Sequence, residues 1–145
     1  MIRYLRHIRA RLLGVGLVVL AAPALAAPTI TAVALSEATG LEDGYLNYGD
    51  SVTATVTFSA PVTVSGTPHL TLTVGTTALK ASYASGSGGN TLAFTYKMTL
   101  NRTDTDGISI AANALLLNGG TIQDGGVAAD LSHAAVADDP RYRVD

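Results

Sequence analysis

From Ser51 onward, apolar and polar positions alternate with period two. Val52, Ala54, Val56 and Phe58 fall on one face of an extended chain, with Ser51, Thr53, Thr55 and Thr57 on the other. Leu70, Leu72 and Val74 alternate with His69, Thr71 and Thr73, and Leu79, Ala81 and Tyr83 with Lys80 and Ser82. The longest run sets Leu92, Phe94, Tyr96 and Met98 against Ala93, Thr95, Lys97 and Thr99. Successive strand side chains point to opposite faces, so each run predicts a strand with one buried and one wet side. Threonine suits the wet side: its branched carbon favours extended backbone while its hydroxyl stays solvated. On that reading His69 belongs to the wet face.

Shorter stretches at 29–35, 62–64, 108–110, 115–117 and 121–122 complete a set of about seven to eight strands. Asn118-Gly119 is a two-residue hairpin signal, because both residues accept positive φ at low cost. Gly86-Ser87-Gly88-Gly89-Asn90 reads as a flexible hairpin tip between two well-patterned strands, and Asp124-Gly125-Gly126 as a further turn. Pro61 either ends the Phe58 strand or marks an edge bulge, since proline cannot donate to a ladder. No segment offers an amphipathic helix, although 110–117 and 127–131 could each hold one helical turn. Many short strands and frequent turns predict an all-β, antiparallel, two-sheet immunoglobulin-like sandwich. A small β-barrel carries the same periodicity.

The first 26 residues change the picture. Arg3, Arg6, Arg9 and Arg11 precede an uncharged apolar run over 12–25, which ends at Ala24-Leu25-Ala26. Basic segment, short apolar segment and small-x-small site in that order predict a cleaved secretory signal over 1–26 and one domain over 27–145. A membrane anchor is the competing reading, but Pro23 and Pro28 interrupt the stretch, and a span needs about 20 predominantly apolar residues. With no cysteine in the chain there is no lipobox and no disulfide. The 119 residues from Ala27 to Asp145 suffice to bury roughly two-thirds of the surface of the unfolded chain, so packing alone can hold one domain. Without the leader, Lys80, Lys97, Arg102, Arg141 and Arg143 face eleven acids, a net charge of −6. That balance argues against a nucleic-acid partner, which calls for a clustered basic face.

Several motifs occur in a characteristic order. Tyr48-Gly49-Asp50 is followed by Val56-Thr57-Phe58-Ser59 with Pro61-Val62, then Gly66-Thr67-Pro68 leading into Leu70-Thr71-Leu72. Ala81-Ser82-Tyr83, Ser85-Gly86-Ser87-Gly88 and the 92–96 run come next, then Asp104-Thr105-Asp106-Gly107-Ile108 and Asn118-Gly119-Gly120-Thr121-Ile122. Through these residues the chain resembles a bacterial immunoglobulin-like repeat, found in tandem within large secreted and surface-attached, adhesin-type proteins. In such arrays one unit commonly finishes in Val-Asp and the next opens with an Ala-Pro-Thr-like start. Ala27-Pro28-Thr29 and Val144-Asp145 fit one unit bounded by repeat junctions. The resemblance implies a spacer or adhesion module, not a catalyst, at the cell surface, in the periplasm or secreted. Its partners would be a cell-surface glycan or protein, or neighbouring like domains, with no membrane contact once the signal is removed. Ala60 and the Gly125-Gly126-Val127 stretch depart from the pattern, and both changes remove polar side chains that could serve as ligands.

Candidate chemistry is sparse, and no catalytic, cofactor-binding or metal residue is assigned. Asp104-Thr105-Asp106-Gly107 is the best calcium candidate, since alternating aspartates supply oxygens. Aligned on an EF-hand loop, however, it puts Arg102 first and Asn113 last, and the competing reading is an acidic turn bonding local amides. Ser85-Gly86-Ser87-Gly88-Gly89 lacks the first glycine and the strand-to-helix setting of a nucleophile elbow. His69 and His133 read as surface residues, too few for a metal set. Tyr45 and Tyr48 could stack on a sugar or pack the end of the domain. The alternative to a spacer is therefore a module that binds glycan or calcium through loops at one end.

Overall fold

The computed structural model describes residue 14 and residues 16–145. The basic segment of the predicted leader, residues 1–11, and residues 12, 13 and 15 of its apolar run lie outside the described residues. Twelve strands and no helix form among those described: β1 (Ile30–Thr39), β2 (Tyr45–Leu46), β3 (Ser51–Ser65), β4 (His69–Val74), β5 (Thr77–Ser85), β6 (Gly89–Lys97), β7 (Ile108–Ile110), β8 (Leu115–Leu116), β9 (Thr121–Asp124), β10 (Val127–Ala128), β11 (Val136–Asp139) and β12 (Arg143–Val144). The fold is all-β. Ten strands share a large antiparallel sheet in the order β10-β9-β3-β6-β5-β4-β7-β11, with β1 also on β3 and β8 also on β4. The short pair β12-β2 is parallel and separate.

β3 organises the molecule. Residues 51–57 pair with β6 on one side and β1 on the other, while residues 63–65 pair with β9. The register breaks between Thr57 and Val62, and exposed Pro61 sits in that break. Of the two readings of Pro61, the bulge is correct: the strand runs through it, because a residue with no N–H is tolerated where the ladder is interrupted. The alternation survives the bulge, so Val52, Ala54, Val56, Phe58 and Val62 are all buried.

Those side chains meet Leu70, Leu72, Leu92, Phe94, Met98, Ile108 and Ile110 in one apolar core. Tyr83 packs edge-on to Phe94, with ring centroids 5.9 Å apart and planes at 66°. Hydroxyls cover the other face. The Oγ1 atoms of Thr53 and Thr95, partners across β3 and β6, lie 3.0 Å apart, and Ser36 Oγ donates to the Thr53 carbonyl.

Asn118 and Gly119 both take positive φ, 50° and 77°, as the turn chemistry requires. The strands they connect do not form a hairpin, however: β8 pairs with β4 and β9 with β3. Neither predicted helical turn forms. Residues 112–113 make a tight turn with Asn113 at φ 56°, and Val127–Ala128 is a strand.

Register also fixes where the chain enters and leaves. Ile30 lies opposite Phe58 and Thr39 opposite Ser51, so β1 runs the length of the first half of β3. Beyond Ser51, the Asp50 carbonyl accepts from Met98 N and the Met98 carbonyl from Gly49 N, which closes that end. There β12 joins β2, with Val144 opposite Leu46 and both buried. The ten residues of β1 separate the Ile30 end from the Val144 end by roughly 30 Å.

Candidate functional site

The Val144 end gathers the 104–107 loop and the stretch that carries Tyr45 and Tyr48. Asp104 is buried and its carboxylate is fully engaged: Oδ2 accepts from Gly75 N at 2.7 Å and Oδ1 from Gly107 N at 2.8 Å. Its backbone exchanges two further bonds with Val144, 2.7 Å from Asp104 N and 2.8 Å from Val144 N. Asp106 is exposed and does not join it. Among the described residues no three acids or histidines converge on a point where a cation could sit. The Asp104 carboxylate is thus committed to two backbone amides, one in its own turn and one across at Gly75.

Beside it, the Arg143 guanidinium lies 4.4 Å from the centre of the Tyr45 ring and donates to the Asp43 carbonyl at 3.4 Å. Tyr45 therefore packs the end of the domain. Tyr48 differs, being 68% exposed, and exposed Leu41 and Leu100 lie in the loops of the same end. Arg141 and Asp139 form an ion pair at 2.6 Å, and hydrogen bonding from the guanidinium holds Asp139 below the ordinary carboxylate range. Asp130 is likewise lowered, by hydrogen bonds from the Ser132 hydroxyl and amide at 2.7 and 2.9 Å.

The two histidines correct the surface reading. His69 is only 8% exposed, because β5 flanks it at Ser82 and β8 at Leu116. Its Nε2 is buried without a partner. Desolvation first, then the nearby Lys80 charge, lowers its pKa below the usual imidazole value. Alternation places it with Thr71 and Thr73, but the short β8 was read as pairing elsewhere, so its cover was invisible. His133 is built into the fold: Nε2 accepts from Ala114 N at 2.8 Å, and its backbone exchanges bonds with Asn113.

Ser87 has a structural task rather than a nucleophilic one. Its Oγ accepts from Val64 N at 2.9 Å and its amide donates to Tyr83 Oη, which ties the β5–β6 tip down. The Asp139–Arg141, Arg143–Tyr45 and Asn113–His133 pairs were missed in the sequence. Asp-Pro-Arg over 139–141 carries the one local signal, an aspartate capping the amide two residues on. The others join residues distant in the chain. Comparison with protein-family models, curated proteins and solved structures finds no match.

Proposed function

We propose that this chain is an exported, non-enzymatic immunoglobulin-like sandwich module that serves as a spacer or adhesion unit at the cell surface or in the periplasm. The observation that carries the reading is the placement of Ile30 and Val144 at opposite ends of β1. A domain with its termini at opposite ends lengthens a chain of like domains, whereas adjacent termini would fold such a chain back on itself. The sandwich reading over a barrel is supported by the open edges of β1 and β11, which flank a groove instead of pairing. Export is supported by Leu17, Val18, Val19 and Leu20, an apolar run that stays outside the core. Such a run is stable in a translocating membrane or after removal, not in water.

The test is small-angle scattering on one, two and three copies of residues 27–145 joined Asp145 to Ala27. Each copy should add about 30 Å or more to the maximum dimension. Compact two- and three-copy particles would overturn the spacer.

A ligand-binding module is the second reading, favoured by exposed Tyr48, Leu41 and Leu100 at the Val144 end. Exposed aromatic and apolar side chains grouped at loops mark interaction sites. A glycan array probed with unmodified protein and with Tyr48→Ala tests it: binding abolished by the substitution supports the reading, and no binding by either sinks it.

A further inference from the structure

Residues 132–135 form an unpaired strap between the β10 region and β11. With Ile30, Thr31, Ala32 and Val33 of β1 it walls a half-open groove of about 300 Å³. The strap is held to the 112–114 turn largely through His133. Asn113 N donates to the His133 carbonyl at 3.2 Å, and His133 N donates to Asn113 Oδ1 at 3.0 Å. Ala114 N donates to His133 Nε2 at 2.8 Å, and the opposite ring nitrogen, Nδ1, lies 2.8 Å from the Ala134 carbonyl.

These partners define the proton's position. A backbone N–H can only donate, so Nε2 must be the bare nitrogen. A carbonyl can only accept, so Nδ1 must carry the hydrogen. The neutral Nδ1–H tautomer satisfies both contacts. Adding a proton at Nε2 sets two donors against each other across 2.8 Å, and the Ala114 bond is lost. We infer that His133 is an acid-sensitive latch, which holds the strap closed over the β1–β11 groove when neutral and releases it when protonated.

The surroundings do not offset this. The 111–114 turn, residues 30–33 of β1 and the β7 strand bring no titratable or charged side chain to the imidazole. On its own segment, Asp130 is the nearest acid in sequence, and its carboxylate is turned onto Ser132. A protonated His133 therefore has no carboxylate hydrogen-bonded to it in place of the lost Ala114 bond. Release frees the strap from Ala114, widening the groove beside the open edge of β1. That edge is guarded by two register breaks, at Ile30/Ala32 and Leu35/Glu37.

The test is amide hydrogen exchange read by NMR on residues 27–145, between pH 7.5 and 5.0, after correction for intrinsic exchange. Protection of Ala114 and of 132–136 should fall tenfold or more in acid, while protection of β3 and β6 stays constant. His133→Gln keeps a neutral acceptor and should remove the pH dependence. The unmodified protein gives an independent reading, because the Ala114 amide shift should follow the His133 imidazole titration. Constant protection in acid, or the same acid loss in His133→Gln, would overturn the latch. So would an Ala114 shift that ignores the imidazole.

Discussion

Asp104 and Val144 exchange both backbone hydrogen bonds, at 2.7 and 2.8 Å, and so stitch the 101–107 loop to the last strand. The same aspartate reaches across to Gly75 and back to Gly107 with its two carboxylate oxygens. One residue thus joins its own loop to the β4–β5 turn and to the last strand at the Val144 end. Anionic acceptors on backbone amides are stronger than neutral ones, which is why burial of this carboxylate is tolerated.

Asp104→Ala should therefore be among the costliest single changes in the loops. It leaves two amides without acceptors, at about 1–3 kcal/mol each, whereas Asp104→Asn keeps one acceptor and should cost roughly half as much. Urea unfolding of both variants measures the difference. Calcium and chelator should leave both midpoints where they are, since the carboxylate is already committed to amides.

Gly107→Ala should destabilise for a steric reason. Its φ is 112°, and a Cβ there would sit 2.1 Å from the Asp139 carbonyl oxygen. Backbone would have to move, so a loss of several kcal/mol is expected, above the ~1 kcal/mol of an ordinary glycine replacement. A thermal melt checks it; a midpoint within two or three degrees of the parent refutes the close approach.

Phe94→Ala should cost about 3–5 kcal/mol, since the ring is fully buried and part of the void left behind cannot collapse. Phe94→Leu should cost less, and it also removes the edge-on contact with Tyr83. The two variants, compared by urea unfolding, separate volume from aromatic geometry.

Stability should fall in mild acid through His69. The folded state holds the His69 pKa below its ordinary value, so the unfolded chain takes up the proton first. The contribution is whole above the unfolded-state pKa of about 6.5 and is lost as pH drops from there toward the folded value. Replacement by leucine should flatten part of the slope of unfolding free energy against pH. An unchanged slope from pH 7.5 to 5.5 contradicts the burial argument.

Strands with strong alternation were legible. His69–Val74 and Ile108–Ile110 have the bounds their pattern indicates, and the β3 core positions hold through Pro61. β2, β10, β11 and β12 were not legible, because two to four residues give no period to read. Their existence depends on partners far along the chain, such as Tyr45 with Arg143. The same locality explains the chemistry. The 104–107 aspartates were visible as an acidic turn, but the Gly75 amide that completes it lies 29 positions away. His69 was assigned to water because its cover, Leu116, is supplied by a strand too short to announce its pairing.

The roughly 30 Å between Ile30 and Val144 also decides how the domain bears tension. A pull applied at those two points acts along β1, so the rungs joining it to β3 are strained together in shear instead of parting one after another. At the opposite end the two-residue β2–β12 pair, the Asp104 bridge and the bond from Ile108 N to the Tyr142 carbonyl resist. Under load the C-terminal strand should peel away first, leaving the long ladder intact as a shorter, still folded link.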